Sequence, residues 1–192
     1  MNDLTDKSFQ TRAVHAGERV PPADFRPVTT PIWNTVGYLY DSMDDLDAVF
    51  DRKKPGQVYL RYSNPTVEAF ENAIANLENA EAAQAYGSGM AAIHAALLGA
   101  GVKAGTSIVA ALDVYGATFT LLNNLFANLG VTVRMVDVTD HDEVAQALKE
   151  TAAGVLYVES ISNPLLKVAD IPALAKLAHQ HNASLLVDNT FA

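Results

Sequence analysis

The sequence predicts an α/β fold, a parallel sheet with helices on both faces, and three observations lead there. From Ala82 onward, short apolar runs alternate with helical stretches. The runs are continuously apolar rather than alternating, as strands covered on both faces are. A helix separates each pair, which is what the return path between parallel strands requires. The strand-like runs are Ala82–Tyr86, Ser107–Leu112, Val131–Val136, Val155–Val158 and Leu185–Val187. Between them the helices fall at Met90–Leu98, Thr118–Leu129, Glu143–Lys149 and Ile171–His181. Ligands of such sheets sit beyond the carboxyl ends of the strands. The informative residues are therefore Gly87-Ser88-Gly89, Asp113-Val114-Tyr115-Gly116, Asp137, Glu159 to Pro164, and Asp188-Asn189-Thr190.

The segment before the sheet reads differently. Up to about residue 40 there is no steady period, and four of the eight prolines lie here. With Ile32, Trp33 and Val36 to Tyr40 it is too apolar to float free, so it reads as an extended arm that packs on another domain or subunit. Ser42–Phe50 reads as a short helix with Ser42 as N-cap and acids in its first turn. Pro65 suits a first helical turn, and Val67, Phe70, Ile74 and Leu77 follow at helical spacing. The expected division is an arm over 1–60 and, over 61–192, the first part of a ligand-binding domain. The chain stops just past a strand, at Ala192, so the expectation is that it belongs to a longer polypeptide.

Composition narrows the function classes. The 192 residues are 49% hydrophobic and carry a net charge of −9, which disfavours nucleic acid or an anionic membrane as the main partner. Cysteine is absent, so there is no thiolate nucleophile, disulfide or cysteine-ligated metal. No apolar signal core opens the chain and no run reaches the length of a membrane span. A soluble cytoplasmic protein is the default expectation.

Around Gly87-Ser88-Gly89-Met90 the pattern is strand, glycine turn, helix start. The first amides of a helix have no internal partner and face the positive end of the dipole, so an anion is favoured there. Glycines at 87 and 89 permit turn conformations and a close approach by a ligand. Two readings compete. Gly87 to Ala92 fits the dinucleotide pattern G-x-G-x-x-A, with Asp113 at the next strand end as the ribose acid. That leaves Tyr59, Arg61, Asn163 and Asp188 without a task. The other reading uses them: Arg61 and Tyr59 for a phosphate, Tyr115 flat against an aromatic ring, Asn163 donating to a ring oxygen, and Asp188 pairing with a protonated ring nitrogen. Together these groups describe pyridoxal 5′-phosphate (PLP), an electron sink for a substrate carbanion.

Tyr59-Leu60-Arg61-Tyr62-Ser63-Asn64-Pro65-Thr66, Ser88-Gly89-Met90, Tyr115-Gly116, Glu159 to Pro164 and Val187-Asp188-Asn189-Thr190, with Thr11 to Gly17 before them, resemble the Cys/Met metabolism family of transsulfuration enzymes. The resemblance spans nearly the whole chain. It implies the type I aminotransferase fold and, in the complete protein, γ-replacement or γ-elimination on a homoserine-derived or sulfur amino acid. It further implies that Ser88, Gly89 and Met90 hold the phosphate and that Tyr59 and Arg61 reach the phosphate of a neighbouring subunit. Tyr115 would stack on the ring and move protons, Asn163 would bond the ring oxygen, and Asp188 would pair with the ring nitrogen. Tyr115 and Asp188 are thus the catalytic candidates, in a homo-oligomer that needs a dimer and is expected to be a tetramer.

Departures from the family pattern keep the subfamily open. Val58 stands where cystathionine-handling enzymes often carry an acid, Ala117 replaces the cysteine typical of methionine γ-lyases, and Met90 differs from the glutamine of O-acetylhomoserine sulfhydrylases. Leu60 replaces a usual Ser or Thr. The family's Schiff-base lysine lies beyond the aspartate, and none of Lys7, Lys53, Lys54, Lys103, Lys149, Lys167 and Lys176 follows Asp188. This stretch alone is therefore expected to be inactive. Of the remaining polar residues, His94 reads as packed, His179 and His181 as a helix end, Asp44, Asp45 and Asp47 as a solvated helix start, and Asp137 as a turn. Glu159 reads as a support behind the site. No metal site is expected.

Overall fold

The computed structural model describes residues 6–15 and 27–192. Ala16 and Gly17 of the family-like segment, and Pro21 and Pro22, lie outside the described residues. Along the sequence the chain divides into two compact units, with the boundary between Gln84 and Ala85.

In the first unit, α1 (Phe9–His15) forms where the sequence offered no period; it buries none of its residues, so there was no apolar stripe to read. Helix α2 (Met43–Phe50) starts as predicted, with the Ser42 side chain accepting from the Asp44 amide and acids in the first turn. Helix α3 (Pro65–Leu77) is capped by Asn64, whose Oδ1 accepts from the Thr66 amide at 2.9 Å. The same buried Asn64 donates from Nδ2 to the Trp33 carbonyl at 3.0 Å, and the Trp33 amide donates to Thr66 Oγ1 at 2.8 Å. One side chain thus caps the helix and ties the incoming segment to it. The stretch before Asn64 is a tight turn: Tyr59 bridges Gly37, and the Tyr62 amide donates to the Tyr59 carbonyl.

The second unit holds a four-stranded, all-parallel sheet in the order β2-β1-β3-β4. The strands are β1 (Ser107–Ala111), β2 (Thr132–Val136), β3 (Val155–Glu159) and β4 (Ser184–Asp188). The fold class is the one predicted. Central strands β1 and β3 are buried almost throughout, whereas edge strands β2 and β4 are half exposed. Side chains leave a strand to alternate faces, and the core divides accordingly. Val109, Leu156 and Val158 pack with Val144, Leu148, Leu174 and Ala178 of helices α6 (His141–Thr151) and α7 (Ile171–Gln180). Ile108, Ala110, Val155 and Tyr157 pack on the other face with Leu97 of α4 (Gly89–Gly99) and with Leu122 and Phe126.

Two expectations need correction. Ala82–Tyr86 forms no strand; three alanines and a glutamine before Tyr86 give it little β-propensity. The helix predicted over Thr118–Leu129 is α5 (Gly116–Thr120) running into a π-helical stretch, Leu121–Phe126, and a final helical turn. That stretch buries Leu122 and Phe126, and His94 packs edge-on against Phe126 with centroids 5.4 Å apart. His94 is thus a packed side chain, as its alanine-rich helix suggested.

Candidate functional site

After β1 the chain moves to β2 on one side, and after β2 it crosses back to β3 on the other side of β1. The loops leaving β1 and β3 therefore part, and the gap between them is where open α/β sheets bind ligands. A pocket of about 350 Å³ lies there, lined by Ser88, Gly89, Met90, Ile93, Tyr115, Glu159, Ile161, Asn163, Asp188, Thr190 and Phe191. Six predicted site residues (Ser88, Gly89, Met90, Tyr115, Asn163, Asp188) from four separated segments share it. Tyr59 and Arg61 belong to the first unit. There the Arg61 guanidinium lies over the Tyr59 ring, 4.9 Å from its centroid, and both side chains are exposed.

Helix α4 opens at the pocket. Ser88 is its N-cap, in extended backbone, and its Oγ accepts from the Ala91 amide at 3.2 Å. The Gly89 and Met90 amides are the first two of the helix and have no partner within it. Neither Gly87 nor Gly89 has a positive φ, so of the two expected uses it is the close approach that they serve. A Cβ at either would meet nothing within 4 Å, so what they provide is open space in front of the free amides.

Asp188 ends β4 and its carboxylate is held on both oxygens. Oδ1 accepts from the Thr190 amide at 3.1 Å and from the Thr190 hydroxyl. Oδ2 accepts from the Tyr157 hydroxyl at 3.2 Å. Tyr157 is only 2% exposed; burial first, and then the charge of Asp188, push its phenol far above the ordinary tyrosine range. It is thus a fixed donor. Sequence reading passed over Tyr157, although a polar-tipped residue inside Val155-Leu156-Tyr157-Val158 was a usable signal.

Glu159 ends β3, buried to 7% exposure. Its Oε1 accepts from the Tyr115 amide at 2.6 Å and its Oε2 from the Asn163 amide at 3.2 Å. Burial raises its carboxyl above the ordinary glutamate range, the two amides lower it, and the charge of Asp188 raises it.

A second cluster sits at the ends of β1 and β2. Lys167 Nζ lies 2.7 Å from Asp113 and 3.1 Å from Asp137. This removes Asp113 as a free ribose acid, and with it the residue that the dinucleotide pattern needs. Hydrogen bonds to Asp113 and Asp137 raise the Lys167 ammonium, so it is a committed cation and a poor nucleophile. Asp137 is held down at about 2 by the Thr139 hydroxyl, the Thr139 amide and Lys167. It is the strand-end turn residue expected. Among the described residues no group of acidic or histidine side chains could hold a metal ion, and no helix is long and apolar enough to cross a membrane.

The donor set suits a flat, phosphorylated heterocycle. Free amides and open space stand at a helix N-terminus, a tyrosine ring and an asparagine line the wall, and a braced carboxylate stands at a strand end. Comparison with known proteins agrees. The model of the family described as Cys/Met metabolism PLP-dependent enzyme matches residues 10–192. L-methionine gamma-lyase of Fusobacterium nucleatum is 39% identical over 191 residues, 99% of this chain and 47% of that protein. O-acetyl-L-homoserine sulfhydrylase of Corynebacterium glutamicum is 39% identical over 184 residues, 96% of this chain and 42% of that protein. The crystal structure of cystathionine gamma-lyase from Lactobacillus plantarum, complexed with L-serine, superposes with a TM-score of 0.74 at 35% identity. It covers 84% of this chain, which in turn covers 39% of that one. The chain spans about half the length of the curated relatives it matches or less.

Proposed function

We propose, on the premise that this chain belongs to the Cys/Met metabolism family of PLP-dependent enzymes, that its protein carries out γ-replacement or γ-elimination on a homoserine-derived or sulfur amino acid. The observation that carries this reading is the convergence of Ser88, Gly89, Met90, Tyr115, Asn163 and Asp188 on one pocket at the sheet's switch point. When bound, PLP supplies the electron sink for a substrate carbanion.

The residues divide the work by chemistry. The Gly89 and Met90 amides and the Ser88 hydroxyl meet the phosphate at the positive end of α4. Asn163 donates to a ring oxygen. Asp188, acceptor-only as a carboxylate and braced by Tyr157 and Thr190, keeps a proton on the ring nitrogen. Tyr115 offers its ring to the cofactor's face and its hydroxyl to the departing γ-substituent. Tyr59 and Arg61 are assigned to the phosphate of a neighbouring subunit's site, which makes the working form a homodimer or a tetramer built from dimers. The relatives bear the names of a methionine lyase, a sulfhydrylase and a cystathionine lyase, so the γ-substituent is the open variable.

The test is an absorption spectrum of the purified full-length protein with PLP, before and after borohydride. A visible band that borohydride abolishes, with cofactor mass left on a lysine, supports the reading; no band at any PLP concentration overturns it. Comparing release of the γ-group from methionine, cystathionine and O-acetylhomoserine then selects the substrate.

A further inference from the structure

We propose that Glu159 is a positioning residue, which sets the separation of Tyr115 and Asn163 across the pocket by accepting both of their backbone N–H groups. The role rests on the PLP-site reading above and adds to it the part that holds two of its walls in place.

Tyr115 and Asn163 are 48 positions apart and sit on loops leaving the neighbouring strands β1 and β3. The Lys167–Asp113 ion pair also joins these two loops, but its partners lie four positions after Asn163 and two before Tyr115, so it does not itself hold those two backbone N–H groups. Tyr115 stands at the N-cap of α5 with no side-chain cap of its own, and its amide points to Glu159 Oε1 at 2.6 Å. The Asn163 amide points to Oε2 at 3.2 Å. Glu159 itself is anchored at the end of the fully buried strand β3, so its carboxylate is a fixed reference for both loops. Only a carboxylate can do this. Each of its oxygens accepts, whereas the isosteric glutamine has one acceptor and turns a donor toward the second amide. Protonation of Glu159 has the same effect as that replacement. The charged or titratable groups facing it are Asp188 from β4 and Tyr157 from its own strand; the loops contribute amides.

The experiment compares the wild-type protein with Glu159→Gln. PLP affinity is measured by equilibrium dialysis from pH 8 down to pH 4, below the ordinary glutamate value, and the Tyr115 and Asn163 amides are followed by nitrogen-15 NMR without cofactor. At pH 8 the variant is expected to bind PLP about tenfold more weakly, the loss expected for one charge-assisted hydrogen bond. That gap closes on acidification, as the wild-type carboxyl takes up its proton. In the wild type the two amides titrate together with one midpoint above the ordinary glutamate value; in the variant neither follows it. A residue important only for folding would give a gap that does not change with pH. Equal PLP affinity at pH 8, or a gap that acid leaves unchanged, overturns the proposal while leaving the PLP site standing. A wild type that does not bind PLP overturns the site reading and this role with it. Should Glu159→Gln fail to fold, the wild-type titration decides alone: two unrelated midpoints overturn the tether, and one shared midpoint supports it.

Discussion

Replacing Tyr157 with phenylalanine removes one buried oxygen and leaves the ring, so it tests the brace on Asp188 together with a second contact to buried Thr118, and a double-mutant cycle with Asp188→Ala separates the two. Tyr157 is 2% exposed and its hydroxyl donates to Asp188 Oδ2 at 3.2 Å. A hydrogen bond to a charged partner is worth about 1.5–3 kcal/mol. This one is longer than the 2.5–2.7 Å usual for a hydroxyl on a carboxylate. Asp188 is also only half buried, so water can replace part of the lost contact. The lower end applies, about 1.5 kcal/mol, with no cavity cost because the ring still fills its place. For a chain of this size that corresponds to about 3–6 °C in Tm. Urea unfolding followed by circular dichroism should show a lower midpoint at unchanged slope. A cycle with Asp188→Ala should return a coupling of about 1 kcal/mol. Stability equal to wild type, or additivity in the cycle, would refute the brace and reduce Tyr157 to a core ring.

Three other outcomes follow from the geometry. Asp137 has a folded pKa of about 2 against an ordinary 3.8, so its contacts stabilise the fold fully above the ordinary value and the benefit is lost as pH falls between the two. Asp137→Asn should therefore be less stable than wild type near neutrality, with the gap in denaturation midpoint closing toward pH 2. Ser88→Ala removes the side-chain acceptor for the Ala91 amide and should cost about 1 kcal/mol, read by the same unfolding assay. Ala152 ends α6 in the left-handed region at φ 46° and is exposed, so Ala152→Gly should stabilise by about 0.5–1 kcal/mol; a loss would contradict that backbone geometry.

What could be read from the sequence was what depends on neighbours in the chain. β1 to β4, the cap at Ser42, Pro65 in the first turn of α3, and the cluster of polar residues after each strand all follow from local periodicity and turn chemistry. Local pattern misled where tertiary partners decide. Ala82–Tyr86 has the length of a strand but joins no sheet among the described residues, and Leu121–Phe126 keeps a helical pattern while its hydrogen bonding shifts to the π form. Of the two uses the sequence offered for Gly87 and Gly89, close approach and turn conformation, the open face they leave serves the first, and neither takes a positive φ. The pairing of Lys167 with Asp113 and Asp137 could not be read locally, because those carboxylates stand 54 and 30 positions earlier.

The same distinction explains how the pocket is supported. The residues assigned to touch a ligand, Ser88 to Met90, Tyr115, Asn163 and Asp188, sit in turns or at element ends, where spacing makes them visible. Their supports, Tyr157 and Glu159, sit on β3, the strand with every residue buried. Such a strand is the least able to shift, because both faces are packed against helices and both edges are paired. β4 is half exposed and depends on Tyr157 from β3 to hold its terminal carboxylate in register with the pocket. The two loops depend in the same way on Glu159. Since both supports leave one strand two residues apart, a disturbance of the β3 backbone should loosen Asp188, Tyr115 and Asn163 together, whereas changes in α6 or β2 should leave all three in place.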